Sequence, residues 1–333
     1  MEYSNNEELT YGYGPRQPND MNWKNLLFLE NLESYEMKST AYDFLLDYSS
    51  VYNVFPACTA QPNPFSNRVM FIIDTLNKLN VKYTVDIFNY DGSKVIWGNH
   101  SYSSHKLVNI IVEPNPQVTG SATVFVAHHD VANVHSQNCQ DNGASVCNLL
   151  RLISLIKKSK TESKRTIILF SDHEEGGAIG AKQFASKSMR IKNSSSIQHD
   201  IYGTISSVVN LELTGKGKIV WSDCSFNKNE EELHLLLETT LGQNIPKFKT
   251  PLNDAIMFRK YDYPVLCIGI LPEDDLKDKT TWKICHSIND TIEKCDENDM
   301  EDFTNFLLNL TKFTTTEHGN DTEPNQTGGT LCT

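Results

Sequence analysis

Residues 122–130 read ATVFVAHHD, and residues 165–177 read RTIILFSDHEEGG. Each is a short apolar run, rich in β-branched residues, that stops abruptly at titratable side chains. Runs of this kind suit strands buried on both faces of a sheet. Between them, 143–158 places Val146, Leu149, Leu150, Ile153 and Ile156 at helical spacing, which predicts a crossover helix. Strand, helix, strand of this length is the unit of a parallel sheet.

The same alternation extends outward in both directions. Apolar runs at 107–112, 207–213 and 264–270 predict further strands, and Val81, Tyr83, Val85 and Ile87 alternate with polar residues at strand period. Helical spacing predicts helices over 22–35, 66–79, 178–189, 229–241 and 297–313, with Ser66 a suitable N-cap. The fold expected is α/β, a three-layer sandwich with a mostly parallel (mixed) central sheet and helices on both faces. No linker splits the core, so 22–313 reads as a single domain. The polar, aperiodic stretches 1–21 and 314–333 read as disordered tails.

Composition narrows the class. The chain has 333 residues, with Lys plus Arg 30 against Asp plus Glu 42, a formal net charge of −12. Phosphate recognition needs clustered basic residues, so nucleic acid is not an expected partner. No apolar run approaches the ~20 residues that span a bilayer, and no membrane partner is expected. The opening residues lack the basic start and apolar stretch of a signal peptide. The 8 cysteines include no CxxC pair, which fits a reducing compartment and gives cytoplasmic localisation as the expectation.

In open α/β sheets, sites form beyond the carboxyl ends of the strands. Titratable residues fall at those places repeatedly: His128, His129 and Asp130; Asp172, His173, Glu174 and Glu175; and Glu212. Asp141, in DNGAS, precedes a helix, and His286, in CHSINDT, follows the last strand. Taken singly, each has an ordinary structural explanation. Asp141 suits a helix start, Glu174 and Glu175 suit an acidic loop, and His286 suits a solvated turn. Glu212, in an otherwise apolar run, needs a partner, either Lys216 or a metal. His128 and Asp130 share one side of an extended chain. A metal-bound imidazole commonly donates its other ring N–H to a carboxylate, which would suit Asp130. Of the two adjacent glutamates, one suits a metal ligand and the other a general base toward water. Together His128, Asp141, Glu175, Glu212 and His286 offer two imidazoles and three carboxylates, enough for two zinc-like ions with a shared Asp and open positions. Spacing does not fix their pairing. The glycine-rich turn GGAIGA lacks the full dinucleotide pattern, and the acidic residues before it would repel a pyrophosphate.

The order of these pieces, H128-H-D130, D141-N-G-A-S, E174-E175-G-G, L-E212-L-T and H286-S-I-N-D290-T, resembles the co-catalytic di-zinc aminopeptidases of metallopeptidase family twenty-eight. Relatives in that family include glutamate carboxypeptidase and glutaminyl cyclase. The stretch LNDAIMFRKYDYPV is similar to another family segment and places Asp254 at its Asp, with Ala255 where many members have His. The resemblance implies a zinc-exopeptidase-like fold and two Zn2+ per chain, with Co2+ or Mn2+ as possible substitutes. It implies one zinc on His128, Asp141 and Glu212, and the other on His286, Asp141 and Glu175. It implies Glu174 as proton carrier and Asp130 as the residue orienting His128. The activity implied is removal of N-terminal residues from peptides with a free N-terminus. Alternatives are a single-zinc cyclase-like acyltransferase using Asp141, Glu175 and His286, a di-zinc carboxypeptidase, whose acidic-side-chain pocket relies on arginines and to which the sequence assigns neither Arg259 nor Arg165, and an inactive peptide-binding module. Glu212 stands where Asp is commoner. Side-chain preference and oligomeric state are not legible in the sequence.

Overall fold

The computed structural model describes residues 9–12, 40–52, 66–90, 96–97, 100–101, 105–132, 136–159, 164–188, 203–223 and 228–312. In chain order the strands are β1 (Leu9–Gly12), β2 (Tyr83–Tyr90), β3 (Ile96–Trp97), β4 (His100–Ser101), β5 (His105–Val112), β6 (Ala122–His128), β7 (Thr166–Ser171), β8 (Ile205–Leu211), β9 (Ile219–Asp223) and β10 (Val265–Leu271). The α-helices are α1 (Ala41–Tyr52), α2 (Asn67–Lys78), α3 (Ala144–Lys158), α4 (Ile179–Ser188), α5 (Lys228–Leu241), α6 (Ala255–Lys260), α7 (Asp275–Asp278), α8 (Thr280–Ile284) and α9 (Glu297–Leu310).

Eight strands form one mixed sheet in the order β1-β2-β5-β7-β6-β8-β10-β9, and β3 and β4 pair separately. The central four, β7, β6, β8 and β10, run parallel. The flanking strands β5 and β9 join them antiparallel. Period-2 alternation divides the buried residues between two cores. From β6 and β7, Phe125, Ala127, Ile168 and Phe170 point into the core shared with α1, α2, α3 and α9. Val124, Val126, Ile167 and Leu169 point into the opposite core with α4 and α6. Helices thus cover both faces of the sheet, as the sequence predicts.

The local signals hold where they can be checked. Ser66 caps α2, its hydroxyl accepting from the Val69 N–H. Asp296 caps α9 by accepting from the Asn298 and Asp299 N–H groups. Two boundaries differ. The strand predicted over 207–213 runs from Ile205 to Leu211, because Leu213 takes a positive φ of 55° that ends the extended chain. Glu212 therefore stands just past the strand end. Within the stretch 1–21, expected to be disordered, Leu9–Gly12 pairs antiparallel with β2. The rest of that stretch, the predicted 22–35 helix and the tail 314–333 lie outside the described residues.

β10 passes so close to the neck of β8 that only glycine fits at 269. A Cβ there would stand 1.9 Å from the Glu212 carbonyl oxygen and 2.7 Å from the Trp221 indole nitrogen. Gly269→Ala is therefore expected to destabilise the protein by about 1–3 kcal/mol, the usual cost of overpacking. Chemical denaturation checks this, and an unchanged midpoint would show that the β8–β10 approach is looser than the geometry states.

Candidate metal centre

The parallel strands end along one edge of the sheet, and the candidate ligands gather there. His128 is the last residue of β6 and is 1% exposed. Glu174 and Glu175 follow β7 by a short turn, and Glu212 follows β8. Asp141 sits in the π-turn Cys139–Gly143 that feeds α3, with non-helical φ −117° and ψ 90°, and the Asp141–Asn142 peptide is cis. His286 follows α8 with a positive φ of 60°. A non-glycine residue held in that conformation costs roughly 1–3 kcal/mol, and such residues cluster at functional sites.

The side chains converge tightly. His128 Nε2 lies 3.2 Å from Asp141 Oδ1 and 3.7 Å from Glu212 Oε2. His286 Nε2 lies 3.1 Å from Asp141 Oδ2 and 3.2 Å from Glu175 Oε2. The two oxygens of Asp141 thus face two different imidazoles. Glu174 Oε2 stands 4.0 Å from His128 Nε2, farther off than these ligand atoms.

A second ring of bonds fixes these positions. Asp130 Oδ1 lies 3.3 Å from His128 Nδ1 and also accepts from the Glu174 N–H at 3.0 Å. Its other oxygen accepts from the Glu175 N–H at 3.1 Å. One carboxylate therefore sets both the imidazole and the turn that carries the two glutamates. Asp290 does the same for Asp141: its oxygens accept from the Gln140 and Asp141 N–H groups at 2.7 and 3.0 Å. At Gly176 in the turn after β7 the His173 ring lies where a Cβ would stand, 2.1 Å away, so a side chain there would displace that ring. His129 faces away, its Nε2 bonded to the Val108 carbonyl at 2.8 Å. Asp254 is fully buried and accepts from the Ser171 hydroxyl.

The electrostatics follow from this crowding. Burial pushes the carboxyls of Glu174, Glu175 and Glu212 above the usual range, and neighbouring carboxylates add to the shift. Burial also acts on Asp130, but the His128 hydrogen bond and charge outweigh it and hold the carboxyl at about 2. Asp141 is likewise held well below its ordinary value by the two imidazoles, against burial. Hydrogen bonds to Asp141 and Glu175 raise His286 to about 10. Burial would lower His128, yet Asp130, Asp141 and Glu212 raise it well above its ordinary value. So much negative charge in a desolvated edge draws in positive charge.

The donor set fits divalent cations. His128, Asp141 and Glu175 each offer one ligand atom, all within 4.8 Å of one another. With zinc–ligand bonds of about 2.0–2.1 Å, the edge of a tetrahedral site measures about 3.3 Å. The separations of 3.1 to 3.7 Å between Nε2 and carboxylate oxygens straddle that value. Nitrogen and carboxylate oxygen without thiolate suit zinc and its neighbours. Cys267 and Cys285 are not among the converging ligand atoms, and burial pushes both thiols up.

The model of peptidase family M28 matches residues 109–311, more than half of the chain and all of these residues. The chain belongs to peptidase family M28. Membership supports a zinc metallopeptidase, and the fold agrees. The structure aligns with a zinc aminopeptidase from Bacillus subtilis at a TM-score of 0.61, with 12% identity over 81% of this chain and 93% of that one. A glutaminyl cyclase from Bacteroides thetaiotaomicron gives 0.60, with 15% identity over 83% and 97%. The Legionella pneumophila LapA aminopeptidase gives 0.59, with 12% identity over 82% and 72%. At these identities the likeness is one of fold. No curated protein sequence matches the chain significantly. No helix among the described residues is long and apolar enough to cross a membrane.

His128, Asp130, Asp141, Glu174, Glu175, Glu212 and His286 thus stand together at one edge of the sheet, while His129 turns away from it. One residue beside the site goes unmarked by the sequence reading, Asn210: it lies near the end of β8, two residues before Glu212, and its amide donates to Glu212 Oε1 at 3.1 Å. The double grip of Asp130 on the turn after β7 was also not read. Asp130→Ala, measured in metal-free protein, is expected to cost about 2–4 kcal/mol, since hydrogen bonds to a charged acceptor are worth roughly 1.5–3 kcal/mol each. Thermal unfolding in the presence of chelator checks it, and an unchanged midpoint would show that the two N–H groups find other acceptors.

Proposed function

We propose that this chain is an aminopeptidase that removes N-terminal residues from peptides at a two-zinc centre. The observation that carries the proposal is the placement of Asp141, with Oδ1 toward His128 and Oδ2 toward His286. One zinc would rest on His128, Asp141 and Glu212, the other on His286, Asp141 and Glu175. Co2+ or Mn2+ could substitute. Bound there, two zincs would polarise a carbonyl and lower the pKa of a water toward about 7.

The chain's own residues supply the rest. Glu174 lies 4.0 Å from His128 Nε2, farther than the carboxylates assigned as ligands lie from an imidazole nitrogen. That leaves its carboxylate to take a proton from the attacking water and return it to the leaving amine. Asp130, with Oδ1 3.3 Å from His128 Nδ1, favours the tautomer protonated on that nitrogen and so leaves Nε2 for a cation. Asp290 and Asp130 lock the backbone on either side, so the geometry is set before substrate arrives.

Charge favours a free N-terminus over a free C-terminus. Even with two dications, Asp130, Asp141, Glu174, Glu175, Glu212 and Asp254 leave the edge acidic, which suits an ammonium. The arginines that an acidic-side-chain carboxypeptidase would use are committed elsewhere. Arg259 donates to Glu230 and to the Asp223 carbonyl, each at 2.8 Å. Arg165 donates to Glu113 at 2.8 Å. A single-zinc cyclase would need only Asp141, Glu175 and His286, and would leave the convergence of His128 and Glu212 without a purpose. An inactive module would have no reason to keep five ligands in register.

Elemental analysis of the purified protein should give two zincs per chain, and chelation should abolish hydrolysis of amino-acid anilides in a way that added zinc reverses. Glu174→Gln should keep both metals and lose turnover by about 10²–10⁴. An N-acetylated peptide should resist cleavage while its free-amine form is cut. Near-normal turnover in Glu174→Gln, or equal cleavage of the blocked peptide, would reject the assignment.

A further inference from the structure

We propose that Asn210 is a positioning residue that holds the carboxylate of Glu212 so that one oxygen, Oε2, is presented to the cation on the His128 side. The proposal rests on the two-cation reading above. Asn210 is 1% exposed and lies on β8, two residues before Glu212. Its Nδ2 donates to Glu212 Oε1 at 3.1 Å, while Oε2 faces His128 Nε2 at 3.7 Å. The amide orientation is set by charge: turned over, its carbonyl oxygen would meet a carboxylate oxygen.

A glutamate needs this grip where an aspartate would not. Its extra methylene adds a torsion, and a free Glu212 could swing its carboxylate off the cation or offer both oxygens. The amide removes that freedom by occupying Oε1. It is itself anchored, since Asn210 Nδ2 also reaches Cys267 Sγ at 3.5 Å, and that sulfur receives a second amide, Asn253 Nδ2, at 3.6 Å. Asn253 in turn accepts from the Ala255 N–H at 3.0 Å. The chain of contacts from the start of α6 through β10 to β8 makes a rigid floor under Glu212. A neutral donor suits this task. A lysine or arginine in its place would compete with the cation for the carboxylate, while an amide orients the oxygen and leaves its charge.

Zinc titration of chelator-treated protein, read by competition with a chromophoric chelator, tests the proposal without relying on activity. Wild-type protein should show two binding steps. Asn210→Ala should weaken one of them by about 10–100-fold, the usual effect of removing a group that orients a ligand, and leave the other within about threefold. Asn210→Asp, isosteric and without the donor, should weaken the same step and serves if the alanine variant does not fold. In a Glu212→Ala background, Asn210→Ala should add nothing, because the residue acts through Glu212. Two steps in the wild type that Asn210→Ala leaves intact, or weakens equally, would overturn the positioning role alone. An additive effect in the Glu212→Ala background would do the same. Fewer than two steps in the wild type would overturn the two-cation reading, and this proposal with it.

Discussion

Carboxylates crowded into a desolvated corner repel one another, and the architecture of this protein is arranged around that repulsion. Glu174, Glu175 and Glu212 are all pushed toward protonation by burial. Asp130 and Asp141 stay ionised only because imidazoles and backbone N–H groups face them. Such an arrangement is unfavourable as a mere structural feature, since an apolar core of the same volume would be as stable or more so. It is maintained by rigid supports: a strand end under His128, a strand end under Glu212, and turns held by Asp130 and Asp290. A fold that bears this cost at one edge needs a reason for it, and the reason offered by the donor set is cationic.

The topology determines why the crowding occurs where it does. From β6 the chain passes through α3 on one face of the sheet to its neighbour β7. From β7 it passes through α4 on the other face and over β6 to β8. β6 is therefore the strand at which the direction of winding reverses. At such a point the two crossover segments part and leave a crevice above the strand end. His128 occupies the floor of that crevice, and the turns that start the two crossovers carry Asp141 on one side and Glu174 and Glu175 on the other. Three segments far apart in sequence are brought together by the way the sheet is wound, before any specific bond forms among them.

Much of this was legible in the sequence because the signals were one-dimensional. Buried parallel strands are apolar runs that stop at polar residues, so the ends of β6 and β7 announced themselves. The helices α2, α3 and α9 carry caps or stripes at helical spacing. What escaped had weaker local marks. β9 is a short strand, paired along its length with β10 and bridged at Ser222 to Lys247, and IVWSD carries no clean alternation. α1, with Phe44, Leu45 and Tyr48 buried, owes its place to packing on α3 and α9. The end of β8 was read two residues late because Leu213 is apolar and looks like strand, while its backbone is left-handed. Pairings such as Asp290 with the Asp141 N–H depend on residues some 149 positions apart, and no spacing rule reaches that far.

The two imidazoles are supported unequally, and that asymmetry follows from the elements that carry them. His128 ends a central strand, is almost wholly buried, and has its second nitrogen beside Asp130. His286 hangs from a loop with its side chain 54% exposed. A histidine on a strand end is located by the hydrogen bonds of the sheet, which open only with global unfolding. A histidine on a loop is located by its own contacts, which open locally at smaller cost. The exposed side is also the one open to solvent, at His286. The buried half of the site thus fixes geometry, and in the proposed function the exposed half would admit the substrate. Asp141, with one oxygen toward each, couples a rigid half to an accessible one through a single carboxylate whose own backbone is held from the loop that bears His286, by Asp290.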